Sequence, residues 1–270
     1  MFTSASLKSG METPFPMFRT GKNYTLHPVV RAMHGLPFLA LMLIPVHYMS
    51  KFLPTGYAQD LFNIGREANL PTFFACFSWM LVSAASLVAF FADPFVKPVS
   101  KTRWLWLFIA AAFFFACIDE FVQLHEHIDD IWQSIGGVSS GSGKSIPDWN
   151  VVYTPPMLVL TAVGGGFAWL QMAPVKHARA FLASGIVFLA LAIAAEYLEA
   201  SPTILAAIQA NAFMAKTHIL WVLEETFENL GAVFIAISIA RFADYAIRCA
   251  IPQNAEAVAA LDKQVAYDKF

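Results

Sequence analysis

Charge is what this chain has least of: Asp, Glu, Lys and Arg together make up 13% of its 270 residues. Soluble domains carry about 25%, so an ordinary water-exposed surface is excluded. Neither sign prevails, with a formal net charge of -2, and the scattered Lys and Arg form no stripe that could track a phosphate backbone. Nucleic acid is therefore excluded as a partner. Cysteine is also rare. Cys76, Cys117 and Cys249 are far apart, which excludes a zinc-ligand spacing and offers no obvious disulfide pair; Cys76 and Cys117 fall in apolar runs and read as small core residues. No G-x-S-x-G elbow occurs, and no Ser or Cys stands against a base, so any hydrolysis would need a metal and a carboxylate base. Internal repeats are absent, and the single low-complexity patch, GGVSSGSGKS at 136–145, reads as a flexible linker. The opening segment, MFTSASLKSGMETPFPMFRTGKNYTLHP, has no apolar core, so a soluble arm is expected there rather than a cleaved signal peptide.

What the chain has in abundance is apolar sequence. Hydrophobic residues reach 58%, 25 of them Phe, and the mean hydropathy is +0.58. A helix needs about 20 mostly apolar residues to cross the hydrocarbon core. Six stretches meet that need, near 31–52, 70–92, 103–126, 154–174, 179–199 and 217–241. They predict an all-α integral membrane protein, a six-transmembrane-helix bundle at 29–245, preceded by the arm at 1–28 and followed by a cytoplasmic tail at 246–270. The lipid bilayer is its first partner.

Basic residues flanking spans mark the cytoplasmic side. With the N-terminus inside, that side carries Lys8, Arg19, Lys22, Arg31, Lys97, Lys101, Arg103, Lys176, Arg179, Arg241, Arg248, Lys263 and Lys269, leaving Lys51, Arg66, Lys144 and Lys216 outside. Both termini are then cytoplasmic and the linker at 127–153 is extracytoplasmic. Trp104, Trp106, Trp132 and Trp149 are expected in the interfacial belts. His27 and His34 read as helix-start or interfacial residues, and His177 as part of a basic loop.

Against this apolar background the acidic residues stand out. Counting from each basic end at 1.5 Å per residue, Asp119, Glu196, Glu225 and His47 all lie about 16 or 17 residues in, or roughly 24 Å. One layer in the outer third of the bilayer should thus hold ionisable groups from four helices. A carboxylate near a helix centre costs about 2.5 to 3.5 kcal/mol even on lenient scales, so four independent occurrences need a common reason. At 100° per residue, Asp119, Gln123, Glu126 and Asp130 share a stripe, with Glu120 and His127 on its flank. His218, Trp221, Glu225 and Glu228 form a second stripe, in THILWVLEETFENLG, and Glu196 and Glu199 are neighbours in EYLEA. In FNIGREANLPTFF, Glu67 lies just above the second span, and Asn69 and Pro71 mark its helix start. The fourth span, PPMLVLTAVGGGFAWLQ, carries no acid; its three glycines suit close packing.

The succession GREANLPTFF, CIDEFVQLHE, WNVVYTPP, EYLE and LEETFENLG resembles a set of uncharacterised bacterial multipass membrane proteins marked by E-x-N-x-P-T, D-E-x5-H-E and E-E-x-x-E-x-x-G motifs. The resemblance covers most of 60–235. It implies a bacterial inner-membrane location and makes Glu67, Asp119, Glu120, His125, Glu126, Glu224, Glu225 and Glu228 the defining residues. It implies no particular activity.

Chemistry offers three readings. Carboxylate and imidazole donors suit Fe, Mn or Zn, and helical bundles can hold two such ions on inward Glu and His. Asp119, Glu120, Glu126, Glu196, Glu225, Glu228 and His218 are then the candidate ligands, for one or two ions. His47, Glu67, Gln123, His125, His127, Glu199 and Glu224 are further ligands or supports. No organic cofactor is indicated, the Glu-x-x-His spacing of soluble di-iron bundles is absent, and a lipid or other apolar substrate entering sideways suits the depth. Alternatively the same acids titrate in a proton- or ion-coupled transporter. In the third reading they hold helices in register within an accessory subunit of a larger membrane complex.

Overall fold

A computed structural model describes residues 26–53, 56–63, 69–96, 103–122, 155–156, 158–199, 201–210 and 219–267. Every regular element among them is helical. A short helix, α1 (Pro28–Met33), has Pro at its start, where the missing N–H is no loss, and His27 caps it by accepting from the Val29 N–H at 3.3 Å. It turns at His34 and Gly35 into α2 (Leu36–Ser50), which carries Pro45 in its interior. A single turn of helix, α3 (Tyr57–Asp60), leads to α4 (Leu70–Val96). Here the expected start signal operates: the Asn69 side chain accepts from the Thr72 N–H at 3.0 Å and from its hydroxyl at 3.1 Å, and Pro71 lies in the first turn.

Next come α5 (Trp104–Val122) and α6 (Leu158–Gln171), the latter containing a wider π turn at Thr161–Gly165. They are followed by α7 (Ala178–Glu199), the short α8 (Pro202–Ala210) and the long α9 (Ile219–Tyr267). Among the described residues, five helical stretches are long and apolar enough to cross a membrane: Pro28–Ser50, Leu70–Pro94, Trp104–Val122, Ala178–Leu198 and Ile219–Cys249. The expected fourth span is represented by the shorter α6. Its GGG run weakens the helix interior. The tail expected from 246 starts inside α9, which runs on unbroken to Tyr267.

The centre of the bundle is α9, flanked by α4, α7 and α2, while α5 packs on α4. A helix that is apolar all round belongs inside, and α9 is buried continuously from Ile235 to Asp244. The helix α7 runs antiparallel to it. Phe188 faces Phe227 at 5.9 Å, Phe181 faces Phe234 at 5.8 Å, and the Ser238 hydroxyl donates to the Ala178 carbonyl at 2.7 Å. Where α7 and α9 cross, Gly185 and Gly231 face each other so closely that a Cβ on Gly185 would lie 2.9 Å from the Gly231 carbonyl oxygen. Of the three glycines of α6, Gly164 meets Ile109 and Gly165 meets Ile186, whereas Gly166 has open space.

The α4–α5 pair has an equally clear register. Trp79 stacks on Phe113 at 5.4 Å, the Ser83 hydroxyl donates to the Ala110 carbonyl at 2.8 Å, and Phe90 meets Trp104 at 5.1 Å. In the first turn of α5, Trp106 is fully buried between Phe167 and Phe242, each at 5.0 Å. That corrects the expectation of an interfacial Trp106: two aromatic rings, Phe167 of α6 and Phe242 of α9, close over it. Trp104, by contrast, is exposed.

Candidate functional site: a carboxylate-rich end of the bundle

The antiparallel register brings the C-terminal ends of α5 and α7 to the same end of the bundle as the N-terminal end of α9. Three acids of α9, Glu224, Glu225 and Glu228, are half-buried there, as are Asp119 and Glu120 on α5 and Glu196 on α7. None of these six is fully exposed, and each engages another group. His47, in the last turn of α2, is buried at the same end.

Depth along α9 can be read from its partners. Trp106 lies beside Phe242, so Asp119 and Glu120, 13 and 14 residues further up α5, come level with about residues 228 to 229 of α9, both helices rising 1.5 Å per residue. His34 meets Arg241, which puts His47 level with about residue 228. The layer expected from the sequence therefore holds for His47, Asp119 and the acids of α9. Glu196 departs from it. The Phe188–Phe227 and Ser238–Ala178 contacts set it level with about residue 219, roughly 9 Å beyond Glu225. The difference arises because Arg241, taken as the end of a span, is buried inside the bundle and is not level with Arg179.

Among the described residues no three His, Cys, Asp or Glu side chains come together closely enough to hold a metal ion. Gln123, His125, Glu126, His127, His218 and Glu67 lie outside the described residues, and of Glu199 only the backbone is described. The structure adds a residue that the search for acids passed over. Asn229 is 2% exposed and level with the layer; its Nδ2 donates to the Glu225 carbonyl at 2.8 Å. That bond fixes the amide orientation and leaves Oδ1 buried with no donor among the described residues. An unmatched buried acceptor costs about 1 to 3 kcal/mol, a cost that a proton donor or a cation would remove.

Comparison with protein families finds one match, over residues 35–242, to a family described as Domain of unknown function (DUF8692). The chain belongs to this family. No curated protein and no solved structure matches it. The DUF8692 match takes in every described acid of the layer.

At the opposite end of the bundle the structure builds a second polar group that charge counting had read only as an orientation signal, and the match over residues 35–242 takes in its Arg241 and Lys176 but not His34 or Asp244. Arg241 is 8% exposed. Its guanidinium donates to the Lys176 carbonyl at 2.9 Å, meets His34 Nε2 at 3.0 Å and lies 5.5 Å over the Phe181 ring. Arginine has only donors, so His34 Nε2 must accept, and its Nδ1 carries the proton toward the Val30 carbonyl at 2.8 Å. One turn on, Asp244 accepts from Arg248 Nε at 2.9 Å and from the His27 N–H at 3.4 Å. Together these bonds tie α1 and the α6–α7 turn to α9. In the DUF8692 chain the bonds at this end join one helix or turn to another, as a structural role requires.

Proposed function

We propose that the carboxylate-rich end of this membrane protein binds a cation, in the first instance one or two Fe, Mn or Zn ions supporting chemistry at the membrane. The observation that carries the reading is the buried Asn229 Oδ1 at the level of five half-buried carboxylates on two helices. Oxygen donors concentrated at low dielectric attract a hard cation, which offsets the repulsion among the acids. The described donors alone supply no three-member group, so the ion needs Glu126, His125, His127 or His218 alongside Asp119, Glu120, Glu225 and Glu228. Glu196, further out, guards the entrance instead of ligating. A site at this depth would suit an apolar or lipid substrate. The inner membrane of a bacterium, with both termini cytoplasmic, is the proposed setting.

Elemental analysis of the full chain, purified in detergent from cells supplied with these metals, tests this. A stoichiometric transition metal that disappears in both Glu225→Gln and Glu126→Gln is expected; its absence from the wild type would sink the metal. A second reading draws on the spread of the described acids, which share no common ligand point: protonatable carboxyls serving a proton-coupled carrier, with Asn229 Oδ1 accepting from a protonated acid. It predicts a metal-free protein in which Glu225→Gln abolishes a proton-coupled flux in proteoliposomes.

A further inference from the structure

The two cysteines that the sequence leaves unrelated face each other. In α4, Cys76, Trp79 and Ser83 follow one another at three- and four-residue intervals and share a helix face; in α5, Cys117, Phe113 and Ala110 do the same. Trp79 stacks on Phe113 and Ser83 bonds to Ala110, so one step further in the same antiparallel register sets Cys76 against Cys117. The two thiols lie within hydrogen-bonding reach. They are free thiols in this structure, Cys117 buried and Cys76 half-buried.

Helix axes packed at about 8 Å leave facing Cα atoms about 4 to 6 Å apart. That is the separation a disulfide spans. The Ser83 hydroxyl reaching the α5 main chain at 2.8 Å shows that the pair approaches this closely. The outer flank of the same face is apolar and aromatic: Phe73, Phe77 and Met80 on α4 and Phe114 and Phe121 on α5 are all exposed. This flank suits an apolar, planar oxidant that approaches half-buried Cys76 from the bilayer.

We propose that Cys76 and Cys117 form a redox site oxidised by a lipid-soluble quinone. Both S–H bonds break and one S–S bond forms between α4 and α5. The two electrons and two protons pass to the quinone oxygens, giving the quinol. The site goes beyond the cation reading and needs no bound metal.

The test uses reduced, full-length, chelator-treated protein in detergent, given a short-chain ubiquinone analogue, with thiols counted by maleimide mass tagging after denaturation. Wild type should fall from three free thiols to one, keeping Cys249 and forming one quinol per chain, and the Cys76–Cys117 peptide should appear by mass spectrometry. Cys76→Ser and Cys117→Ser, checked for unchanged melting, should keep both remaining thiols and make no quinol. Three thiols surviving the quinone in wild type overturns the proposal, as does equal oxidation in either serine variant. Oxidation by water-soluble diamide but not by the quinone overturns the assignment of the oxidant. Because the protein is metal-free throughout, loss of the cation site leaves these outcomes unchanged.

Discussion

Replacing Gly185 with alanine should destabilise the bundle, although in an isolated helix the same change is favourable by about 1 kcal/mol. The new Cβ would lie 2.6 Å from Ile235 Cγ1, 2.9 Å from the Gly231 carbonyl oxygen and 3.0 Å from the Ile235 nitrogen. A side chain can turn away, but the last two atoms are backbone of the central helix. To reach an ordinary contact the helices must separate by about 0.6 Å, and a gap of that size forfeits a quarter or more of the dispersion energy between the atoms it parts. Overpacking of this kind costs about 1 to 3 kcal/mol, and a net loss of about 2 kcal/mol is expected. Gly231→Ala should cost less, because its nearest neighbours, Leu189 Cδ2 at 2.5 Å and Cγ at 2.7 Å, belong to a mobile side chain. Gly166→Ala meets nothing within 4 Å and should be neutral or slightly stabilising. Thermal melting or SDS titration of the purified variants gives the ranking. If Gly185→Ala melts no lower than Gly166→Ala, the α7–α9 crossing has been described wrongly.

Three further substitutions probe other joints. Arg241→Ala removes the donor to the Lys176 carbonyl and His34 Nε2 and should lower stability by about 2 kcal/mol or more; Arg241→Lys, lacking the planar fork, should recover only part of it, as read in the same melting assay. Trp106→Ala empties a fully enclosed site between Phe167 and Phe242 and should cost about 3 kcal/mol; equal melting of variant and parent would refute the enclosed stack. Asn69→Ala removes the cap that accepts from Thr72 and should cost about 1 kcal/mol, with faster hydrogen exchange confined to the first turn of α4.

Secondary structure and membrane character were legible because they depend on local composition. Runs of apolar residues must be helical where no water can satisfy the backbone, and Asn69 with Pro71 announces a helix start wherever α4 packs. A helix-by-helix depth count also found most of the acid layer, since a 1.5 Å rise is the same in every helix. The count failed for Glu196 because it assumed that each basic residue marks the same membrane plane. Arg241 does not: the bundle buries it by supplying a carbonyl, an imidazole and an aromatic face, and none of these is near it in sequence.

What the sequence determined by itself, then, is that the chain forms apolar helices with acids gathered toward one end, because periodicity and burial cost act within each segment. What only the tertiary structure decided is which segments meet. It made α9 the centre, fitted Gly185 against Gly231, left Asn229 Oδ1 buried at the level of the acids, and set Cys76 opposite Cys117. Each of these is a pairing between distant positions, set by the register of two packed helices, and register depends on how whole surfaces interlock.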